Sequence, residues 1–134
     1  MNKYVTVTAL IASASVYADP IYLECSLIDD GIENGREDIE VRLDESSGKV
    51  SNSNNKLVFK ADGIWSADAI RYKYVSGGEY LVPLIITEFH ISRSTLKMTK
   101  TITIEYPEKL NMPDDVIGPW SGECKVVETR QNKI

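Results

Sequence analysis

Residues 85–104 read IITEFHISRSTLKMTKTITI, and this stretch predicts the fold of the chain. Before the polar segment at 92–95, alternate positions share one mainly apolar face, which comprises Ile85, Thr87, Phe89 and Ile91. After that segment, the apolar face of the return strand comprises Leu96, Met98, Ile102 and Ile104, and the opposite face carries Thr99, Thr101 and Thr103. A period of two residues is the spacing of a strand with one buried face, so the stretch predicts an antiparallel hairpin.

The same period recurs on both sides of this hairpin, in segments 21–28, 39–44, 57–59, 69–75 and 120–126. Between them lie segments typical of turns and loops, which are 29–38, 46–48, 52–55 and 106–119. Gly77-Gly78 predicts a hairpin turn, because glycine adopts positive φ angles without strain. No segment keeps a helical spacing. Residues 19–134 therefore predict a single all-β domain, an antiparallel barrel or sandwich of about seven or eight strands.

The chain has two cysteines, Cys25 in the first predicted strand and Cys124 in the last. Both lie on the apolar face of their strands, so a disulfide between them would lie inside the domain and join its first strand to its last. The alternative is a pair of catalytic or metal-binding thiols, which need histidine or further cysteine nearby. Neither cysteine has such a neighbour in the sequence, and we predict the disulfide.

Residues 1–18 have the layout of an export signal. Lys3 supplies a positive start, residues 4–16 are mildly apolar, and Val16-Tyr17-Ala18 ends in a small residue before Asp19. We expect cleavage after Ala18 and a periplasmic or secreted protein. An uncleaved anchor is the alternative. Because no other apolar segment approaches the ~20 residues that span a bilayer, we expect no stable membrane insertion after cleavage.

The charge of the mature chain restricts its partners. Residues 19–134 would carry 14 basic and 20 acidic residues, a net charge of −6. A surface of this sign repels phosphate backbones and anionic lipids, so nucleic acids and membrane surfaces are not expected as partners. A cationic protein would be attracted. The sequence has no motif for a cofactor or a metal, and we predict neither.

Two groups of titratable residues suggest chemistry. Glu88 and the only histidine, His90, point the same way on one strand and could form the acid–base pair of a small hydrolase. No motif supplies a nucleophile, so an exposed or half-buried strand histidine is the favoured interpretation, and we predict no enzyme. The acidic segment 29–38 could bind calcium through Asp29, Asp30, Glu33, Glu37 and Asp38. It lacks the order of an EF-hand loop, and a solvated loop is the simpler interpretation.

Aromatic residues form another candidate group. A sugar-stacking platform could be built from Trp65, Trp120, Tyr72, Tyr74 and Tyr80. Such residues also fill the cores of small β domains. Trp120 is in phase with Cys124 and is expected in the core. Trp65 lies in an irregular stretch and is the better candidate for an exposed contact.

Four pieces follow one another along the chain: the export signal, Tyr22-x-x-Cys25, Phe89-His90-Ile91-Ser92-Arg93-Ser94-Thr95 and Trp120-Ser121-Gly122-Glu123-Cys124. In this order they resemble a loose family of small secreted proteins of unknown function, found in Gram-negative bacteria and their phages. The third piece is similar to that family's I-N-R-x-T-G strand and turn. Leu96 stands where the family has glycine, which leaves the turn type open. The resemblance implies a β architecture and export, and it implies no activity.

A second resemblance lies in Ser76-Gly77-Gly78-Glu79-Tyr80, which is similar to the S-G-x-x-Y loop of bacterial periplasmic inhibitors of C-type lysozyme. Those inhibitors are small disulfide-bonded β-barrels. Here Glu79 replaces their arginine, and their W-x-K-G stretch does not follow at the usual interval. A Gly-Gly hairpin turn explains the same residues without a function.

From these observations we predict a non-catalytic binding module, with candidate contacts at Ser76, Gly77, Tyr80 and Trp65. A lysozyme-inhibitor-like protein is the first alternative. A small hydrolase that uses Glu88 and His90 is the second.

Overall fold

The computed structural model describes residues 19–28 and 35–128. The predicted export signal, the acidic residues Asp29, Asp30 and Glu33, and residues 129–134 lie outside this part of the chain. The strands are β1 (Ile21–Ile28), β2 (Arg36–Asp44), β3 (Lys49–Ser53), β4 (Val58–Asp62), β5 (Ile64–Trp65), β6 (Ala69–Gly77), β7 (Leu84–Ser92), β8 (Lys97–Glu105) and β9 (Asp115–Val127). Within the described residues, the one helix is the 3₁₀ turn Glu108–Leu110, and no helix is long and apolar enough to cross a membrane.

The nine strands form one antiparallel sheet in the order β4-β3-β2-β1-β9-β8-β7-β6-β5. Gly63 alone separates β4 from β5, so one extended segment pairs with β3 before Gly63 and with β6 after it. This change of partner brings the two ends of the sheet together. The rings of Phe59 and Tyr74 meet across the junction, with 4.9 Å between their centroids. The result is a nearly closed barrel, which confirms the predicted all-β class with one or two more strands than expected.

Inward-facing side chains from β1, β2, β3, β6, β7 and β8 fill the barrel. The fully buried apolar ones include Leu23, Leu27, Ile39, Val41, Val50, Ile91 and Met98. Their alternation along each strand is the pattern that the sequence showed, because successive side chains of a strand point to opposite faces. The core therefore lies where the periodicity of two placed it.

The first and last strands lie side by side, and the predicted disulfide joins them. Cys25 and Cys124 are directly opposite one another in the β1–β9 register, with a bond between their Sγ atoms. Gly122 permits the close approach of these strands, since a Cβ there would lie 1.7 Å from the carbonyl oxygen of Ser26. The disulfide and Gly122 together close the seam between β1 and β9.

Three predicted loops are partly strand. The loop predicted at 29–38 gives way to β2 at Arg36. Residue Asn52, assigned from the sequence to a loop at 52–55, is a buried residue of β3. The Tyr72 hydroxyl donates a hydrogen bond to the side-chain oxygen of Asn52, which offsets part of the cost of burying an amide. The predicted loop 106–119 gives way to β9 at Asp115, and Pro119 is tolerated there because β9 pairs with β1 only from Gly122 onward.

The barrel has two different ends. At one end, called the tip end, the β6–β7 loop (78–83) and the β8–β9 loop (106–114) project beyond β1, which stops at Ile28. The opposite end carries the β2–β3 turn at 45–48 and the β7–β8 turn at 93–96. Candidate functional residues lie at both ends.

Candidate functional site

The β6–β7 loop has a backbone held by its own hydrogen bonds. Gly77 and Gly78 both have positive φ angles, as predicted, but the connection is a loop of six residues, 78–83, and not the tight turn that the Gly-Gly pair indicated. The amide of Gly78 donates to the Pro83 carbonyl at 3.1 Å, and the amide of Val82 donates to the Glu79 carbonyl at 2.9 Å. A Cβ at Gly77 would lie 2.2 Å from the Pro83 oxygen, so this position accepts only glycine without a backbone shift. These hydrogen bonds therefore define the backbone conformation from which the loop side chains project.

Tyr80 is the most prominent of those side chains. It is 88% exposed and its φ is +52°, in the left-handed region that tyrosine rarely adopts. Asparagine or glycine would suit this backbone better. The next two residues, Leu81 and Val82, are exposed as well. A loop that tolerates a strained aromatic residue at full exposure has the character of a contact site.

The β8–β9 loop lies beside it. Leu84 pairs with Glu105, so residues 78–83 and 106–114 leave the sheet at neighbouring positions. Leu110 and Met112 are exposed on the second loop. We call the five exposed apolar residues of the two loops the tip surface; they are Tyr80, Leu81, Val82, Leu110 and Met112. The sequence indicated only the first loop. The second loop lies beside it because of the pairing register between β7 and β8, which is a property of the folded sheet.

The tip surface has an acidic border. Residues 78–83 and 105–115 together contain five acidic residues and one basic residue, Lys109. Glu79, Glu108, Asp114 and Asp115 are exposed. Segments 78–83 and 105–115, which carry the tip surface, therefore have a net charge of −4, from five acidic residues and one basic residue. This combination favours a partner with basic residues around an apolar contact.

The aromatic residues predicted as a sugar platform do not come together. Tyr80 lies at the tip end, whereas Trp65 is at the opposite end, half-buried in β5 and donating from Nε1 to the Gly48 carbonyl at 3.1 Å. Tyr72 and Tyr74 point into the barrel, where both pack near Phe59. Trp120 lies against the Lys100 ammonium, 5.6 Å from its ring centroid.

Glu88 and His90 are both exposed on the outer face of β7. Their cross-strand neighbours are Lys73 and Thr101 for the glutamate, and Arg71 and Thr99 for the histidine. In the described part of the chain, no hydrogen bond or ion pair joins the two.

Of the acidic segment, Glu37 and Asp38 are described and pair with Lys100 and Arg36. No group of three or more potential metal ligands occurs among the residues that the structure covers.

A polar cluster inside the barrel was not anticipated. Lys100 and Glu37 form an ion pair of 2.8 Å, and each side chain is only 13% exposed. Asn54 donates to the same carboxylate at 2.6 Å. Charges are rarely buried unless paired, and breaking such a pair costs about 3–5 kcal/mol. Strict alternation along β8 would have indicated Lys100, since it shares the face of Met98 and Ile102.

Tyr72 and Asn52 continue this cluster deeper into the core. The Tyr72 hydroxyl donates to Asn52 Oδ1 at 2.6 Å, and Asn52 Nδ2 has no partner among the described residues. Burial raises the pKa of the Tyr72 hydroxyl well above its ordinary value of 10.0, and the nearby Glu37 carboxylate raises it further. The tyrosine therefore stays neutral and acts as a hydrogen-bond donor, a structural role.

Comparison with known proteins yields no match, whether to a family model, to a curated protein or to a solved structure. The function of the domain is therefore inferred from the geometry of its described residues.

Proposed function

We propose that this domain is a non-catalytic binding module that holds a cationic protein at its tip surface. One observation carries the proposal: Tyr80 is almost fully exposed on a hydrogen-bonded loop, in a backbone conformation that disfavours its side chain. The loop is ordered before any partner arrives, so binding loses little conformational entropy. Tyrosine is also among the residues that most often dominate protein interfaces.

The acidic border supports the choice of partner. Negative residues around an apolar contact accelerate encounter with a basic protein and repel anionic ones. The contribution of these charges weakens as salt rises, since exposed charges are screened within about 8 Å at physiological ionic strength. A C-type lysozyme is one cationic protein of this kind, and the Ser76–Tyr80 resemblance makes it the first to test.

The direct experiment mixes the purified protein with C-type lysozyme and measures both binding and cell-wall lysis. We expect Tyr80→Ala to weaken binding about thirtyfold, as for an interface residue worth about 2 kcal/mol. Val58→Ala is the matched control, because Val58 is 74% exposed on β4, outside the tip surface. This control should bind like the wild type.

One outcome would change the identity of the partner, and another would contradict the binding role. Undiminished lysis at molar excess would remove lysozyme as the partner, and a pull-down from envelope extract at low and high salt would then identify another basic protein. Equal capture of partners by wild type and Tyr80→Ala would contradict the binding role of the tip surface itself. The competing hydrolase would be supported by turnover that His90→Ala abolishes with the fold intact.

We also propose that the protein works after export. The Cys25–Cys124 bond supports this, because disulfides persist in oxidising compartments. Mass spectrometry of the exported material should find Asp19 as the first residue. An exported chain that retains Met1 would be evidence against cleavage after Ala18.

A further inference from the structure

The last strand, β9, has an edge that no strand covers in the described part of the chain. β9 pairs with β8 from its first residue, but its pairing with β1 begins only at Gly122. Ile28, the last residue of β1, pairs with Arg36 of β2 and not with β9. Residues 115–121 therefore have a neighbouring strand on one side only, and they directly follow the β8–β9 loop of the tip surface.

The backbone of Val116 points toward this open side. The Cys124 amide donates to the Leu96 carbonyl at 2.8 Å, so alternate residues before Cys124 direct their N–H and C=O groups toward β8. The register then shifts by one residue, because three steps along β9 match two steps along β8. Ile117 and Asp115 therefore direct their backbone groups toward β8, and Val116 directs its N–H and C=O groups away from it.

The side chains on both faces of this edge are apolar and accessible. Val116 is 63% exposed and Ile117 is 39% exposed, and they point to opposite faces of the sheet. Pro119 has no N–H and interrupts the edge, which limits strand addition to residues 115–118. An exposed apolar edge of this kind is a template for the pairing of another strand.

The surroundings of the edge are acidic. Residues 105–115 contain four acidic residues and one basic residue, a net charge of −3. Asp114 and Asp115 are exposed, and neither forms an ion pair with another described residue. An added strand with basic residues at its ends would therefore meet opposite charge.

We propose that the partner of this domain adds an extended segment to the edge of β9, antiparallel to residues 115–118 and with basic residues at its ends. Main-chain hydrogen bonds to Val116 supply affinity, and alternate side chains of the segment contact Val116 and Ile117. The inference rests on the proposed function, since the edge and the tip surface would hold the same basic partner. Tyr80 lies on the far side of β8 and β7 from this edge, so the two contacts are tested separately.

The test is an NMR titration of the isotope-labelled protein, at low salt, with the end-blocked peptide Lys-Val-Thr-Val-Thr-Lys. We expect saturable binding, with the largest amide shifts at Val116 and Gly118 and none at Val126. The same peptide with N-methyl groups on its two central residues keeps the side chains but loses donors from both of its edges. It should bind at least about tenfold more weakly, the effect of losing one or two backbone hydrogen bonds. A peptide with glutamate in place of both lysines should also bind more weakly.

A protein variant locates the same hydrogen bonds on β9. Val116→Pro removes the outward N–H and leaves the bonds to β8 in place, so it should weaken peptide binding at least about tenfold. Val126→Thr is the control, because Val126 is 61% exposed where β9 is already paired with β1, and it should bind like the wild type. The comparison of the two lysine peptides on the wild-type protein does not depend on how Val116→Pro folds.

The proposal is wrong if the unmethylated peptide does not bind, if N-methylation leaves its affinity unchanged, or if the glutamate peptide binds as tightly. It is also wrong if folded Val116→Pro binds like the wild type. A basic protein whose binding depends on Tyr80 but not on Val116 would support the proposed function and overturn this inference. Peptide binding at the edge, without any partner that depends on Tyr80, would support the edge and contradict the role of the tip surface.

Discussion

Buried polar side chains in this barrel differ in how many of their hydrogen-bonding atoms have partners, and Asn52 is the extreme case. It is 1% exposed, its oxygen accepts from Tyr72, and its Nδ2 has no partner in the described part of the chain. A buried amide of this kind costs free energy that an apolar residue would not. Lys100 and Glu37 are each 13% exposed, and their charges pair with one another. The pair at 52 and 72 is therefore the place where single substitutions are most informative.

Tyr72→Phe should lower the free energy of unfolding by about 1–3 kcal/mol, because it leaves the Asn52 oxygen unsatisfied as well. Combining it with Asn52→Leu should recover most of the loss, since two apolar groups then face each other and the unpaired Nδ2 is gone. Urea denaturation of the wild type, both single variants and the double variant measures the coupling. Simple addition of the two single costs would show that the hydrogen bond is not what links them.

The same tyrosine makes stability depend on alkaline pH. Its pKa is raised in the folded state by burial and by Glu37, and well below pH 10 this hydroxyl keeps its proton in both the folded and the unfolded chain. Above pH 10 the unfolded tyrosine ionises while the folded one stays neutral, and stability falls as pH rises. At pH 11 this group should account for at most about 1.4 kcal/mol of lost stability, the limit set by the ordinary tyrosine pKa of 10.0 in the unfolded chain. The difference in unfolding free energy between wild type and Tyr72→Phe should shrink by that amount from pH 9 to pH 11; parallel curves would argue against it.

At the scale of the strands, the tip surface depends on which strands extend beyond their neighbours, and closure of the barrel depends on which strands approach closely. β6 to β9 project past β1, and that extension creates the neighbouring loops of the tip surface. Closure depends on two junctions, the change of partner at Gly63 and the β1–β9 seam. The seam is the tighter one, because the backbones of Gly122 and Ser26 leave no room for a Cβ.

Gly122→Ala should therefore separate β9 from β1 and lower the free energy of unfolding by about 3 kcal/mol or more, the upper range for overpacking. The loss should be visible as faster amide hydrogen exchange in β1 and β9 ahead of β6 and β7. Ser121→Ala, the exposed neighbouring residue, serves as the control. Exchange that quickens uniformly, with a small change in stability, would mean that the seam adjusts easily.

At the scale of the whole molecule, one disulfide joins the first and last strands of the barrel. Cys25 and Cys124 are 99 residues apart, so nearly the entire described domain lies within the closed loop. A domain of this size is stable by only about 5–15 kcal/mol, and a single constraint on the unfolded chain is then a large share. The tip surface lies at one end of this linked barrel.

Replacing both cysteines by alanine should lower the free energy of unfolding by up to about 4.7 kcal/mol, the chain-entropy value for a loop of about 100 residues. Denaturant titration of the variant, and of the reduced wild type, measures the change. The two should agree closely, because each lacks the same link. A loss below about 1 kcal/mol in both would indicate that the unfolded chain is already compact.

The sequence by itself determined the all-β class, the inward rows of residues such as Leu23 and Ile91, the disulfide and the positive φ angles at Gly77 and Gly78. These follow from local rules, since side-chain alternation and glycine conformation depend on a few consecutive residues. Tertiary structure alone decided the joining of two loops into the tip surface, the burial of Asn52, and the pairing of Lys100 with Glu37. Each of these depends on which distant strands pair and in what register, and periodicity within one strand carries no information about that register.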